Sequence, residues 1–272
     1  MTTNKKSWHK SDIYALIALV LMIICFAFPS MAFYKVPQKI QAGQVDAIPS
    51  YVYPLWNLYQ KGRYVSPFTP KEAAGDLRKM IQTKAEIGMM SMPIWFVSLE
   101  APNYPKTTFP EGIPIWFHAD GFSGDVHEMN TINHYVGMYP LEAGAVRERA
   151  AGPFIMVGLC LLLVLFIAIR KRWSVLLLIP SALFPVGFFG FFAGWMYWYG
   201  HNMQAWGAFK IKAFTPTALG VGHVAHFTTK SFPSIGFWVL LVVALLAVLA
   251  ILSRLKELRE EDKARELRGP AA

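Results

Sequence analysis

Histidine, methionine and asparagine side chains are concentrated between His118 and Met138, in the stretch HADGFSGDVHEMNTINHYVGM. A helical conformation would place four of these side chains on one face, since they are three or four residues apart: His127, Asn130, His134 and Met138. Imidazole nitrogen and thioether sulfur are ligands that copper ions favour. The pattern therefore predicts a copper site in this stretch.

Spacing limits which of these groups can share one ion. His127 and His134 are two helical turns apart, about 10 Å along the axis, which is too far for one ion on a straight helix. His134 and Met138 are one turn apart and are therefore the first candidate ligands, followed by His127. The alternative interpretation is a helix whose polar face only packs and hydrogen-bonds, with Met138 in the core.

The remaining candidate groups come from the same stretch and from a second polar segment. His223 and His226, in the sequence GVGHVAHF, are candidate donors, with a structural role as the alternative. Asn130 and Asn133 are predicted to orient the ligands by hydrogen bonding, as the groups behind metal ligands commonly do. No catalytic residue is predicted.

Composition predicts an integral membrane protein that is α-helical. Of the 272 residues, 54% are hydrophobic and 16% are charged, and the apolar residues form long uninterrupted runs. Four transmembrane helices are predicted at residues 12–33, 151–169, 173–199 and 236–253. The glycines Gly190 and Gly194 in the third span have the spacing of close helix–helix contacts.

The two long polar segments, 34–150 and 200–235, are predicted to form one α+β extracytoplasmic domain. Within the first segment, residues 70–90 and 124–139 have helical character and residues 113–119 have strand character. The rest of the chain comprises an N-terminus (1–11), a short loop (170–172) and a charged helical tail (254–272).

Basic residues predict the orientation in the membrane. The short loop Arg170-Lys171-Arg172 is wholly basic, and lysines and arginines also flank the first and last spans. The positive-inside rule therefore places both termini in the cytoplasm. Six of the seven histidines then lie outside. The net charge of +9 does not indicate nucleic acid, because no basic helix with interleaved aromatic residues is present.

Several function classes are excluded by what the sequence lacks. The predicted span interiors carry no acidic or basic residue, which argues against an ion-coupled transporter or a pump. No P-loop, GxSxG, HExxH or CxxCH motif occurs. The two cysteines, Cys25 and Cys160, both lie in apolar runs, so a disulfide in the outer domain is excluded.

Two motifs resemble a family of poorly characterised bacterial membrane proteins. They are SLEAPNYP at 98–105 and NTINHYVGM at 130–138, and the segments 214–216 (FTP) and 233–236 (PSIG) are also similar. Members of this family are often linked with the nitrous oxide reductase accessory system and its copper chaperone NosL. The resemblance implies a protein of the bacterial inner (cytoplasmic) membrane with an extracytoplasmic, copper-linked function, and it carries no established enzyme activity.

We therefore expect a membrane protein that binds or delivers copper at the extracytoplasmic face, in support of a respiratory or nitrogen-oxide cuproenzyme. One alternative is a metal-free accessory or assembly subunit of a membrane respiratory or monooxygenase complex. Another is a membrane oxidoreductase with a histidine-ligated copper or haem. The expected partners are the lipid bilayer and other membrane or periplasmic proteins.

Overall fold

A computed structural model describes residues 9–32, 91–102, 104, 106, 109–119 and 121–268. The helix predicted at 70–90 lies outside the described residues. The described helices are α1 (Lys10–Met22), continued by a π-helical turn (Ile23–Ala27) into α2 (Phe28–Ala32), then α3 (Val126–Val136), α4 (Val146–Ala168), α5 (Ile179–His201) and α6 (Ile235–Arg268). Short 3₁₀ helices occupy Leu141–Ala143 and Arg172–Leu178.

Four of these helical stretches are long and apolar enough to cross a membrane. They are Lys10–Ser30, Val146–Ala168, Arg172–His201 and Ile235–Leu267. Each contains most of a span predicted from the sequence. The chain thus has the organisation of a multi-pass membrane protein.

The helices pack one against the next in the order α4, α1, α6 and α5. Helix α1 packs along α6 and also against α4, while α5 also packs against α6. Fully buried alanines on α1 (Ala15 and Ala18) and on α6 (Ala247 and Ala250) belong to one core, and such small residues allow helices to approach closely. Helices α4 and α5 make few close backbone contacts with each other, although the 3₁₀ helix that precedes α5 packs against α4.

A buried arginine joins several helices near the Arg170-Lys171-Arg172 turn. Arg254 of α6 is fully buried, and its Nη2 lies 2.6 Å from Oδ1 of Asp12 on α1. Its other N–H groups donate to Ser11 Oγ (3.1 Å), Ser174 Oγ (3.4 Å) and the carbonyl oxygens of Phe166 (3.3 Å) and Ile169 (3.0 Å). The sequence predicted that Arg254 begins a charged tail; its side chain instead lies among the helices. We call this end of the helices the basic end.

A five-stranded antiparallel sheet lies at the opposite end, which we call the sheet end. Its strands are β1 (Trp95–Glu100), β2 (Ile113–Phe117), β3 (Phe122–Gly124), β4 (Gly220–Val224) and β5 (Phe227–Pro233), in the spatial order β3-β2-β1-β5-β4. Pairing of β1 with β5 joins the two polar segments into one domain. The strand predicted at 113–119 is confirmed at Ile113–Phe117.

Trp95 attaches the sheet to the helices. Its side chain is 1% exposed, and its Nε1 donates to Ser231 Oγ on the neighbouring strand at 2.8 Å. The indole ring packs against Phe189 and Phe192 of α5 and against Phe237 of α6, with ring centroids 5.1–5.5 Å apart. Aromatic contacts of this kind add to the burial of apolar area, so the sheet is held against two of the four spans.

The spacing of Gly190 and Gly194 predicted a close helix contact, and this prediction is wrong within the described chain. Both glycines are exposed, and a Cβ added at either would meet no atom within 4 Å. Helix α5 packs on α6 through other residues, so this glycine pair faces away from the neighbouring helix.

The buried Asp12–Arg254 pair generates a stability prediction. Asp12→Asn leaves the buried Arg254 charge uncompensated, and we expect a loss of about 3–5 kcal/mol, measured by thermal or denaturant unfolding in detergent. Lys256→Met is the control, because the Lys256–Glu260 pair is exposed and should contribute less than about 1 kcal/mol. Equal effects of the two substitutions would contradict a structural role for the buried pair.

Candidate functional site

The helix that carries the predicted copper ligands ends earlier than expected. Helix α3 stops at Val136, and Gly137 follows with φ +89°. A Cβ at Gly137 would lie 2.7 Å from the carbonyl oxygen of Gln204, so both the backbone angle and the close approach require glycine. Met138 therefore lies beyond the helix and does not continue the helical face of His134.

His134 and Met138 accordingly have different surroundings. His134 is exposed and stacks on Trp206, with ring centroids 6.4 Å apart and planes 14° from parallel. Met138 is half-buried and packs against two apolar clusters of the sheet end. The one-turn spacing that favoured a shared ion on a helix does not apply to this pair. The side chain of His127 lies outside the described residues.

Asn130 and Asn133 both form hydrogen bonds with the backbone of residues that follow α3. Asn130 Oδ1 accepts a hydrogen bond from the backbone N–H of Leu141 at 2.8 Å. Asn133 is buried, and its Nδ2 lies 3.4 Å from the carbonyl oxygen of Tyr139. These bonds account for the position of the two amides without a metal ion. That these asparagines orient metal ligands by hydrogen bonding stays a prediction.

The other predicted histidines lie at the β4–β5 hairpin. His223 and His226 are both exposed, and His223 Nδ1 lies 3.0 Å from Thr228 Oγ1. Within the described part of the chain, no group of three or more His, Cys, Asp or Glu side chains could hold a metal ion. The side chains predicted as ligands, so far as they are described, do not converge on one centre.

The larger cavity lies elsewhere, at the junction of the sheet with α4 and α5. It has a volume of about 280 Å³, and its walls are mostly aromatic and aliphatic. Helix α5 contributes one wall through Phe184, Gly187, Phe188, Phe191, Phe192, Trp195, Met196 and Tyr199. We call this space the junction cavity.

Helix packing explains why the junction cavity exists. Because α4 and α5 each pack against other helices and make few close contacts with each other, the space between them is not filled. Small residues widen it, with Gly152 on α4 and Gly187 on α5 in its walls. Ile155 and Phe191, which also line it, remain 44% and 40% exposed. The cavity is therefore open sideways between two candidate membrane spans.

Three polar side chains line the sheet end of the junction cavity: His118, Glu148 and Arg149. His118 is buried, and its Nδ1 lies 2.7 Å from the carbonyl oxygen of Ser91. Because that oxygen can only accept, Nδ1 carries the proton. Arg149 is positioned by a hydrogen bond from Nε to the Gly144 carbonyl (3.1 Å) and by the Phe122 ring, 4.8 Å from its guanidinium carbon.

A second, smaller cavity of about 80 Å³ lies inside the sheet end. Three methionines, Met129, Met138 and Met196, contribute to its otherwise largely apolar walls. Tyr199 lines both cavities, and its hydroxyl donates to the carbonyl oxygens of Pro140 (3.2 Å) and Leu141 (2.8 Å). We call this second space the methionine cavity.

The junction cavity was not predicted from the sequence. Two signals pointed to it: the aromatic run of the third span, and the Glu148-Arg149 pair just before the predicted start of the second span at residue 151. Neither signal shows that the two spans stand apart, because that depends on how each packs against the other helices.

The hydrogen bond of Asn130 generates a prediction that separates a structural from a metal-linked role. Asn130→Ala removes the acceptor of the Leu141 N–H, and we expect a loss of about 1 kcal/mol in unfolding free energy. Any copper content should stay unchanged, as measured by metal analysis of the same preparations. A loss of copper without a loss of stability would instead support the role predicted from the sequence.

No protein-family model, no curated protein and no solved structure matches this chain. The resemblance of residues 98–105 and 130–138 to copper-linked membrane proteins therefore stays a prediction. What the protein does has to be inferred from its own side chains, and the junction cavity is a feature of the described residues that could hold a ligand.

Proposed function

We propose that this protein is a multi-pass protein of the bacterial cytoplasmic membrane that holds a bilayer-borne amphiphile at its extracytoplasmic face. The observation that carries the proposal is the junction cavity, which lies between helices α4 and α5, two helices with few close contacts near the sheet end. A molecule dissolved in the bilayer reaches such an opening without crossing water. Ligand cavities are typically apolar with a few polar groups, and this one has that composition.

The orientation is part of the proposal. The Arg170-Lys171-Arg172 turn lies at the basic end, and the positive-inside rule assigns that end to the cytoplasm. The sheet and the junction cavity then belong to the extracytoplasmic side. Trp195 and Trp198, on the last turns of α5 near the sheet, are residues that favour the membrane–water interface.

The cavity is elongated in the direction that a lipid chain would take. Along α5, Phe184 and Tyr199 are fifteen residues apart, which corresponds to about 22 Å of helix. One leaflet of the hydrocarbon core is about 15 Å thick. The walls thus extend from the level of the interface through most of one leaflet, which suits an acyl or isoprenoid chain aligned with the spans.

Filling the cavity tests this function. Gly187 lines it, and a Cβ added there meets no atom within 4 Å, so Gly187→Leu should fold while occupying ligand space. We expect severalfold less co-purified amphiphile, measured by native mass spectrometry and by solvent extraction of the purified protein. Gly190→Leu is the matched control, because Gly190 has equal space on the same helix but does not line the cavity.

Equal amounts of bound amphiphile in the two leucine variants, each folded by its thermal transition, would overturn the proposed function. The same holds for wild-type protein that carries no amphiphile above the level of the detergent micelle.

We propose copper binding at the methionine cavity as a second candidate function. It is favoured by one specific observation, the presence of Met129, Met138 and Met196 in the walls of one space. Thioether sulfur is a soft ligand that selects Cu(I). Met138 is also a ligand predicted from the sequence, whereas exposed His134 would have to act separately.

Metal analysis of protein purified after growth in copper tests this candidate. We expect wild type to retain copper and Met138→Leu or Met196→Leu to lose most of it, since leucine keeps the volume but removes the sulfur. Met22→Leu is the control, because Met22 is equally apolar and is buried among the spans. His134→Ala tests the other predicted ligand. A copper-free wild type, or unchanged copper in the leucine variants, would contradict a thioether site.

A further inference from the structure

We propose that the outer face of the sheet is a membrane-contact surface, on which a row of three aromatic side chains lies in the headgroup layer of the bilayer that the spans cross. The row consists of Trp116 on β2, Phe96 on β1 and Phe232 on β5, and we call it the aromatic row. This inference rests on the spans crossing a membrane and does not depend on what the junction cavity holds.

Strand register brings the three rings of the aromatic row side by side. Phe96 is paired directly with Trp116 on one neighbouring strand and with Phe232 on the other. Paired residues of antiparallel strands point to the same face of a sheet, and the rings of Phe96 and Trp116 have centroids 5.3 Å apart. Because the preceding residue, Trp95, points into the helices, the aromatic row lies on the opposite face.

The outer face changes in character along the strands. Beyond the aromatic row, the outward positions are polar or charged: Ser98 and Glu100 on β1, and Lys230 and Thr228 on β5. Lys230 Nζ lies 2.6 Å from Glu100 Oε1, so the two charges are paired across the strands. A sheet face turned only to water is typically polar along its whole length. This face is instead aromatic at one end and charged toward the other.

The aromatic end of this face adjoins the spans. Only two residues separate Phe232 from Ile235, where α6 begins, and the Ser234 N–H donates to the Ile94 carbonyl at 2.9 Å, which fixes this turn beside the start of β1. Phe232, Ile235 and Trp238 are 42%, 60% and 58% exposed. The exposed apolar surface of a candidate span thus continues onto the sheet. Exposed apolar patches mark interaction surfaces, and this continuity identifies lipid as the partner.

The distances along β5 match the thickness of the headgroup layer. A strand rises about 3.4 Å per residue, which places Lys230 about 7 Å beyond Phe232. The headgroup layer on each side of the hydrocarbon core is about 5–8 Å thick. With β5 leading out of the membrane from α6, the aromatic row lies within this layer and the Lys230–Glu100 pair lies at its outer boundary. Aromatic side chains are enriched at this level of membrane proteins.

Fluorescence quenching by nitroxide-bearing lipids tests this surface in the full-length protein, reconstituted in phosphatidylcholine nanodiscs. Phe232→Cys labelled with bimane is the first reporter, since the native Cys25 and Cys160 are buried. We expect a nitroxide on the lipid headgroup to quench it severalfold more than the control, His223→Cys. His223 is exposed and is paired with Thr228, at the charged end of the same face.

Leu219→Cys is a second reporter, which leaves all three rings of the aromatic row in place. Leu219 is exposed and precedes Gly220, which pairs with Ser231 on β5, so its label should be quenched like the one at position 232. Equal quenching of both reporters and the control, each variant being folded by its thermal transition, would overturn the proposal. So would reporters that respond to iodide in water but not to the lipid nitroxide. Gly187→Leu does not alter this face, so failure here leaves the test of the junction cavity unaffected.

Discussion

The buried ion pair between Arg254 and Asp12 is the interaction on which the helix arrangement depends. A guanidinium taken out of water is costly unless each of its N–H groups finds an acceptor. Here the acceptors come from α1, from the end of α4 and from the following 3₁₀ helix, so one side chain of α6 holds the basic ends of several spans. Burial of this charge therefore constrains the relative positions of these helices.

The sheet is held against the helices by aromatic packing and not by an ion pair. These aromatic contacts involve α5 and α6 but not α4, which leaves room for the junction cavity. Trp95 packs on α5 and α6, and Phe117 packs on Phe192 of α5 with ring centroids 5.1 Å apart. Both contacts draw the sheet toward α5 and α6. Helix α4 packs instead against α1 and against the 3₁₀ helix at the basic end. It therefore makes few close contacts with α5 near the sheet. The cavity follows from these two sets of contacts rather than from flexible packing.

The sequence predicts the local parts of this fold well. Apolar runs identify the four spans, and the helical pattern over 124–139, before Pro140, identifies α3, which the structure bounds at Val126–Val136. It does not predict contacts between distant residues: Asp12 and Arg254 are 242 positions apart, and β1 pairs with a strand about 130 positions later. A charge beside an apolar run looks like a topology signal, so the burial of Arg254 was not foreseen.

The same limitation affected the predicted site. Periodicity placed His134 and Met138 on one face, yet Gly137 adopts a positive φ and ends the helix between them. That ending is stabilised by Gln204, whose N–H donates to the Gly137 carbonyl at 2.7 Å from the second polar segment. A local pattern cannot include a partner that is 67 positions away in the chain, so the orientation of Met138 depended on a tertiary contact.

The two cavities share walls, and this bears on how the proposed functions relate. Phe117, Met196 and Tyr199 line both spaces, and the Tyr199 hydroxyl holds the carbonyl groups of residues 140 and 141, close after Met138. A lipid chain in the junction cavity therefore contacts side chains that also border the three thioethers. Close-packed interiors transmit such displacements, because few voids exist to absorb them. We therefore expect occupancy of the proposed lipid site to affect the shape of the methionine cavity.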